Sequence, residues 1–490
     1  LRLPSDTTDA EIRERIARVL EQLGLHGIED TRIGTPERRG ISGGERKRVN
    51  VAMELVTDPS VLFLDEPTSG LSSEDALTVV KVLRALADSG KTVIVTIHQP
   101  SREVFELFDQ IVVGGRDQES GTGGRLAYYG PAFPDAISFF NPASASDTGS
   151  ARSLSPDLLL RGMASAPASE WVRRYDSSEL KRRYVEQRAG SVSGTAPARA
   201  QARPQRRFGL SQWWTLVRRC TAVKLGDRDN FVMLLIQAPA IALFTTMVFG
   251  PHALQTMTHA NWLQVASPVG GALFMLVVTS AWLGCSNSAR EIVAEWAIYR
   301  RERMVNLKIP SYLLSKVAVL GAISVLQCFV LVGGIFLGCG CHALLWPALG
   351  MTVLLALVGL ACGLIISAFA GTSEVAISMV PTVLLPMIMF GGVFVPLADM
   401  GRPAAAVAQA MPSRWAFEGL ILLENLERPQ WEAPSLPGTP RDKVVRTEFA
   451  DRYFTREVRT SIETDAAVLA GMLVFLLAGI MVILRARDVI

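Results

Sequence analysis

Three short stretches in the first hundred residues are suited to phosphate chemistry. At Ser42-Gly43-Gly44-Glu45 two glycines precede a helical pattern, so backbone N–H groups and the Ser42 hydroxyl can face a phosphate at a helix N-terminus. The same residues also make an ordinary helix cap, and alone they decide little. Asp65 ends the apolar run Val61-Leu62-Phe63-Leu64, and Glu66 follows it directly. A carboxylate at a strand's carboxyl end is well placed to hold Mg2+, and a second can polarise a water that attacks phosphorus. His98 follows another apolar run, Thr92 to Ile97, and belongs at the same sheet edge, in reach of a terminal phosphate. A single histidine reads as a satisfied loop residue; this order and spacing does not.

The elements that must position these residues alternate in type. Asp9 to Leu25 has apolar residues at helical spacing and ends at Gly24 or Gly27, and a second helix is expected after Ser42-Gly43-Gly44. The two β-branched apolar runs are separated by a helical pattern from Ser73 to Ala87. Strand, helix, strand is the pattern of a parallel α/β sheet. Residues 141–169 and 188–206 are rich in Ala, Ser, Gly and Pro and read as linkers. Between them Trp171 to Arg188 reads as a charged helix. Phe208 to Lys224 reads as an amphipathic helix lying at a membrane interface.

From Phe231 onward the character changes. Of 490 residues 49% are hydrophobic and 19% charged, and six charge-free stretches fall at 231–250, 264–285, 317–338, 347–370, 375–397 and 466–484. Each is long enough to cross a hydrocarbon layer of about 30 Å at about 1.5 Å per residue. Arg203, Arg206, Arg207, Arg218, Arg219, Lys224 and Arg228 precede the first stretch, and Arg290, Arg300, Arg301, Arg303, Lys308 and Lys316 follow the second. By the positive-inside rule both segments are cytoplasmic, and the loop 398–465 is external. The basic cluster before the first span is explained by lipid headgroups and orientation, so nucleic acid is not expected as a partner. Cys220, Cys285, Cys328, Cys339, Cys341 and Cys362 lie in or beside the spans, which implies no external disulfide framework. No signal sequence is visible, and Leu1 stands where a start codon would give Met.

On ISGGERKRVN, LFLDEPTSGL and TIHQPS, followed by six spans, the sequence resembles the ATP-binding cassette family. The REIVAEWAIYRRERMVNLKIPSYLLSK segment makes it similar to the G subfamily of half-transporters, in particular the bacterial members. The resemblance implies an α/β fold, part of a P-loop NTPase-type cassette over residues 1–140. A linker (141–206), a connecting helix (207–230) and an all-α six-helix membrane domain (231–490) follow. It implies ATP and Mg2+ as cofactors. Ser42, Gly43, Gly44 and Glu45 are then the signature reaching ATP on a second half-transporter, Ser69, Gly70, Leu71 and Ser72 the D-loop, Asp65 the Mg2+ ligand, Glu66 the catalytic carboxylate and His98 the switch histidine.

Two departures qualify it. No G-x-x-x-x-G-K-[ST] phosphate loop occurs, because Gly90-Lys91-Thr92 lacks the earlier glycine. Either the natural protein lacks that loop or the sequence is a piece that begins after it, which Leu1 favours. Ser72 stands where the family usually has Asp, so no charge-based role carries over to it.

The segment 287–308 is, by resemblance, a coupling helix, with Glu291, Glu295 and Arg301 passing motion to the spans and Glu295 and Arg301 as ion-pair partners. Trp282 in the second span, and Val393-Phe394 ending the fifth, match a cavity aromatic and an apolar gate. The expected function is ATP-driven export of lipid, sterol-like or drug-like molecules by a dimer in a bacterial plasma membrane, with the cassette in the cytoplasm. A membrane-bound regulatory ATPase, or a degenerate subunit that depends on a complete partner, are the alternatives.

Overall fold

The computed structural model describes residues 7–31, 33–34, 40–115, 124–141, 155–192, 209–258, 261–428, 431–432 and 446–488. They fall into two compact units, Arg2–Arg203 and Pro204–Ile490.

In the first unit α1 (Asp9–Gln22) starts at a capping box, with Thr8 and Glu11 satisfying each other's backbone N–H. After it come α2 (Gly43–Leu55), β1 (Val61–Asp65), α3 (Ser73–Asp88) and β2 (Thr92–Thr96). The strands pair in parallel, from Val61 opposite Thr92 to Asp65 opposite Thr96. Val19, Leu23, Val51, Leu55, Leu62 and Val79 form one core that joins the helices to one face of this pair. Each such side chain contributes about 1.5–3 kcal/mol by leaving water. Val61, Phe63 and Ile94 on the strands stay exposed.

A second core lies further along the unit. The antiparallel hairpin β3 (Gln110–Gly115) and β4 (Arg125–Pro131) carries Tyr128 into a cluster with Phe139, Phe140, Trp171 and Tyr175. Phe140 and Trp171 meet edge to face at 4.9 Å, and Tyr175 Oη donates to the Tyr129 carbonyl at 2.9 Å. This corrects part of the expected linker 141–169. Pro156–Ala164 is a helix capped by Ser155, with Leu159 buried against the aromatic cluster. Leu158 and Leu159 supply the packed side chains, which average composition conceals, while Leu160 stays exposed. The remainder at 142–154 lies outside the described residues, as do Arg203, Arg206, Arg207 and Phe208. The expected helix from Trp171 to Arg188 is broken at Asp176, because Ser178 caps a new helical start at Glu179.

The second unit is helical. Leu210–Gly226 leads into five long apolar helices among the described residues: Arg228–Ala253, Trp262–Ser288, Ile309–Cys339, Leu345–Phe369 and Ile462–Ala486. All exceed the ~20 residues needed to cross a bilayer. Ser373–Met389 is a sixth, shorter apolar helix of 17 residues. The fifth expected span, 375–397, therefore ends early. Phe390 makes the last helical bond to Pro386, and Gly391-Gly392 follow with Gly392 at φ +93, a conformation that leaves the helix. Val393 and Phe394 thus sit beyond the helix, in an irregular stretch.

Polar side chains fasten these helices where hydrocarbon gives no competing partner. Asn287 Nδ2 donates to Gln327 Oε1 at 2.8 Å, and Gln327 Nε2 donates to the Leu234 carbonyl at 2.7 Å, which ties the first three long helices together. Such bonds contribute about 0.6–2 kcal/mol each. The expected external loop contains the helix Pro412–Leu426, buried along nearly its whole length with Phe417 and Leu420 in the main core.

Candidate functional site

Thr96, the last residue of β2, organises the carboxylates. Its hydroxyl donates to Asp65 Oδ1 at 2.5 Å, and the Glu66 N–H meets both Thr96 Oγ1 at 2.9 Å and the Thr96 carbonyl at 3.1 Å. The parallel register that pairs Asp65 with Thr96 makes this possible. Two non-glycine residues here have left-handed backbone, Glu66 at φ 42 and Gln99 at φ 46. Each costs on the order of 1–3 kcal/mol and is kept only where surrounding contacts impose it. Lys47 of α2 reaches the Glu66 carbonyl at 3.4 Å.

A cleft of about 740 Å³ opens at this edge, lined by Glu66, Ser69, Gly70, Leu71, His98 and Gln99 among others. It unites Glu66, the 69–71 turn and His98, residues far apart in sequence. Asp65 and Ser72 lie beside it in the chain without lining it. Asp65, Glu66 and His98 are all exposed, as groups must be to meet a ligand.

Ser42–Glu45 opens α2 as a reciprocal cap. The Ser42 hydroxyl accepts from the Glu45 N–H at 3.2 Å, and the Ser42 N–H donates to Glu45 Oε2 at 2.7 Å. The bond from the Ser42 N–H to the carboxylate, with the Ser42 side chain beside it, holds the Glu45 carboxyl below its usual range. A Cβ on Gly44 would stand 2.9 Å from Asp75 Oδ1, and one on Gly43 3.3 Å from Leu71 Cδ2. The glycines therefore let the start of α3 close onto the start of α2. Asp75 is itself held by Ser72, which caps α3 and donates to Asp75 Oδ2 at 2.8 Å.

The carboxylates and histidine fit the hydrolysis side of a Mg2+–nucleotide site: Asp65 at the strand end, Glu66 and His98 on an open cleft. The fit is partial, since the 490 residues hold no glycine-rich loop of the phosphate-cradling kind. Sequence reasoning passed over Thr96, Gln99 and Asp75. An alternating strand that ends opposite Asp65 was the available signal for Thr96.

In the helical unit the segment 287–308 is not one helix. Asn287 and Ser288 end the second long helix, a turn follows to Glu295, and a helix runs only from Trp296 to Val305. Ser367 fixes the turn by accepting from the N–H groups of Ile292 and Val293 at 2.9 and 3.0 Å. Glu291 pairs with Lys224 and, at 3.3 Å, with Lys316. Glu295 also pairs with Lys316, at 2.8 Å, so the partner the structure gives it is not the expected Arg301. Lys316, read from sequence as a loop residue, lies inside the third long helix at 3% exposure. The turn is thus bolted to Leu210–Gly226 and to the third long helix.

Trp282 lies on the second long helix and is partly exposed. Phe394 is 67% exposed and its ring meets Phe274 at 6.1 Å, two turns from Trp282 on that helix. Val393 packs on the main core.

The family described as "ABC-2 type transporter" matches residues 211–425, and that described as "ABC transporter" matches residues 3–69. Over 140 residues the chain is 46% identical to the "Broad substrate specificity ATP-binding cassette transporter ABCG2" of Bos taurus, covering 29% of this chain and 20% of that protein. It is 28% identical over 450 residues to "Protein white" of Drosophila melanogaster, covering 86% of this chain and 61% of that protein. It is 30% identical over 430 residues to the "ABC transporter ATP-binding/permease protein Rv1747" of Mycobacterium tuberculosis, covering 85% of this chain and 45% of that protein. The matched part therefore spans less than two thirds of each of these relatives.

Proposed function

Because the chain belongs with the G-subfamily half-transporters of the ATP-binding cassette family, we propose that it exports hydrophobic or amphipathic molecules, driven by ATP hydrolysis. The observation that carries this reading is the cleft uniting Glu66 and His98 beside Asp65, in one chain with five long apolar helices and a sixth shorter one. The apolar helices make it an integral, multi-pass membrane protein. The proposed setting is a bacterial plasma membrane with the cassette in the cytoplasm.

In the proposed mechanism Asp65, with one oxygen fixed by Thr96, offers its carboxylate to Mg2+. Glu66 orients and polarises the attacking water, and His98 contacts the terminal phosphate. Bound Mg2+–ATP supplies the phosphoanhydride and a cation that neutralises the charge developing on it. Ser42, Gly43 and Gly44 close on the nucleotide of a second half-transporter, with Ser69–Ser72 at the dimer contact. The contact of Gly44 with Asp75 supports joint movement of these two segments. Glu291, Glu295 and Arg301 lie in the segment that relays closure to the spans, and the ion pairs of the two glutamates support that role. Trp282, Val393 and Phe394 are proposed for the substrate path.

Reconstitution of the full-length protein into liposomes tests the reading. ATP-dependent movement of a lipid or amphiphile is expected, and hydrolysis without movement of any member of a broad panel overturns it. A second reading is a subunit that relies on a complete partner to supply catalysis. On either reading residues 1–490 alone turn over no ATP.

A further inference from the structure

Three ionisable side chains are almost wholly buried where the Pro412–Leu426 helix meets the start of the last long helix: Arg414 at 1%, Glu418 at 0% and Asp465 at 0% exposure. Arg414 Nη2 lies 2.7 Å from Glu418 Oε2, an ion-pair contact off the line of a good hydrogen bond. Its guanidinium lies 3.7 Å from the Trp415 ring centroid. Thr460 joins the two acids: its N–H donates to Glu418 Oε1 at 2.6 Å and its hydroxyl to Asp465 Oδ1 at 2.7 Å. Asp465 Oδ2, Arg414 Nε and Arg414 Nη1 are buried without a hydrogen-bond partner.

The charges do not balance, because one cation faces two carboxyl groups. Among the described residues the surroundings do not correct this. Arg459 is engaged by Glu448 at 2.8 Å and by Asp451, and Arg456 by Glu448 at 2.7 Å. Glu424 on the same helix is paired with Arg428. The second and fourth long helices carry no charged side chain within their ranges. The third brings Lys316, paired with Glu291 and Glu295. Glu374, Arg402, Arg452, Glu457, Glu463 and Arg485 are exposed, and Tyr453 and the cysteines are neutral near pH 7. An unbalanced ion in this setting is strongly disfavoured.

We propose that Glu418 and Asp465 together hold one proton, with Asp465 Oδ2 as its position, and that this proton fastens the Pro412–Leu426 helix to the last long helix. The bound proton makes the cluster neutral and removes the charge from an oxygen, Asp465 Oδ2, that is buried without a hydrogen-bond partner. Phe417, one residue before Glu418, packs on Phe274 at 5.2 Å, and Phe274 in turn meets Phe394. The proton therefore sits next to the packing that holds Phe394. The site stands apart from the transport reading, and its test needs no transport.

Infrared difference spectroscopy on the purified full-length protein reads the proton directly. The expected result is a protonated-carboxyl band at neutral pH that disappears in Asp465→Asn. The linkage has a fixed sign: a carboxyl whose folded-state pKa is raised contributes stability that is full below its unfolded pKa and lost as pH rises through the folded one. The thermal midpoint of the helical unit should fall as pH rises above the ordinary carboxyl range, and Asp465→Asn should remove that fall. If that variant does not fold, Glu418→Gln carries the same two expectations. No band in the wild type, a band unchanged in the variants, or a pH profile they do not alter overturns the proposal.

Discussion

Gly44 lies against Asp75 so closely that a methyl group on it would stand 2.9 Å from the carboxylate oxygen. Asp75 has little freedom to yield, since both its backbone N–H and its other carboxylate oxygen are bound to Ser72. Gly44→Ala should therefore separate the starts of α2 and α3 and destabilise the first unit by about 1–3 kcal/mol. Calorimetry of the full-length protein checks this, and ATP turnover should fall with it. An unchanged melting profile would mean that Asp75 moves aside.

Thr96 is the second such dependency. Thr96→Val keeps the strand shape and removes the hydroxyl that orients Asp65 and helps hold the Glu66 N–H. On the proposed mechanism it should lower kcat about 10-fold or more and raise the Mg2+ concentration needed for half-maximal turnover, because an oriented carboxylate is replaced by a rotating one. A Mg2+ titration of ATP turnover separates the two effects.

Glu45 gives a pH dependence with a definite direction. Its carboxyl is lowered by the Ser42 N–H, with the Ser42 side chain beside it, so its stabilisation is present above the unfolded carboxyl pKa and disappears as pH falls through the folded one. Hydrogen exchange at the Ser42 amide should lose protection over that acid range. In Glu45→Ala the same amide should be unprotected at every pH.

Lys316 sits between Glu291 and Glu295 with 3% exposure. Lys316→Met leaves Glu295 without its ammonium partner and Glu291 with Lys224, and should destabilise the helical unit by about 3–5 kcal/mol. Adding Glu295→Gln should restore part of that loss. A double-mutant cycle on thermal midpoints measures the coupling.

What could be seen in the sequence was whatever a residue's immediate neighbours determine. Asp65, Glu66 and His98 were legible because each closes a short apolar run, and the ends of such runs in a parallel sheet meet at one edge. Thr96 was not legible, since its contact with Asp65 depends on the register between strands. Lys316 was assigned to a loop because charge was used as a boundary, whereas the helix continues through it and pairs the ammonium with two carboxylates. The fifth span was drawn past Gly391-Gly392 because an apolar count does not register the backbone's departure from helix there. Leu158-Leu159-Leu160 was lost in a window dominated by Ala and Ser, although its partners Phe140 and Trp171 lie on either side in the chain.

In the proposed mechanism Glu66 is the group that orients the attacking water. The direct measurement is ATP turnover by the full-length Glu66→Gln protein in liposomes, alongside nucleotide binding. The expected result is a fall in turnover of about 100-fold or more with binding retained. Turnover equal to the wild type's would contradict the assignment of this cleft as the hydrolytic site.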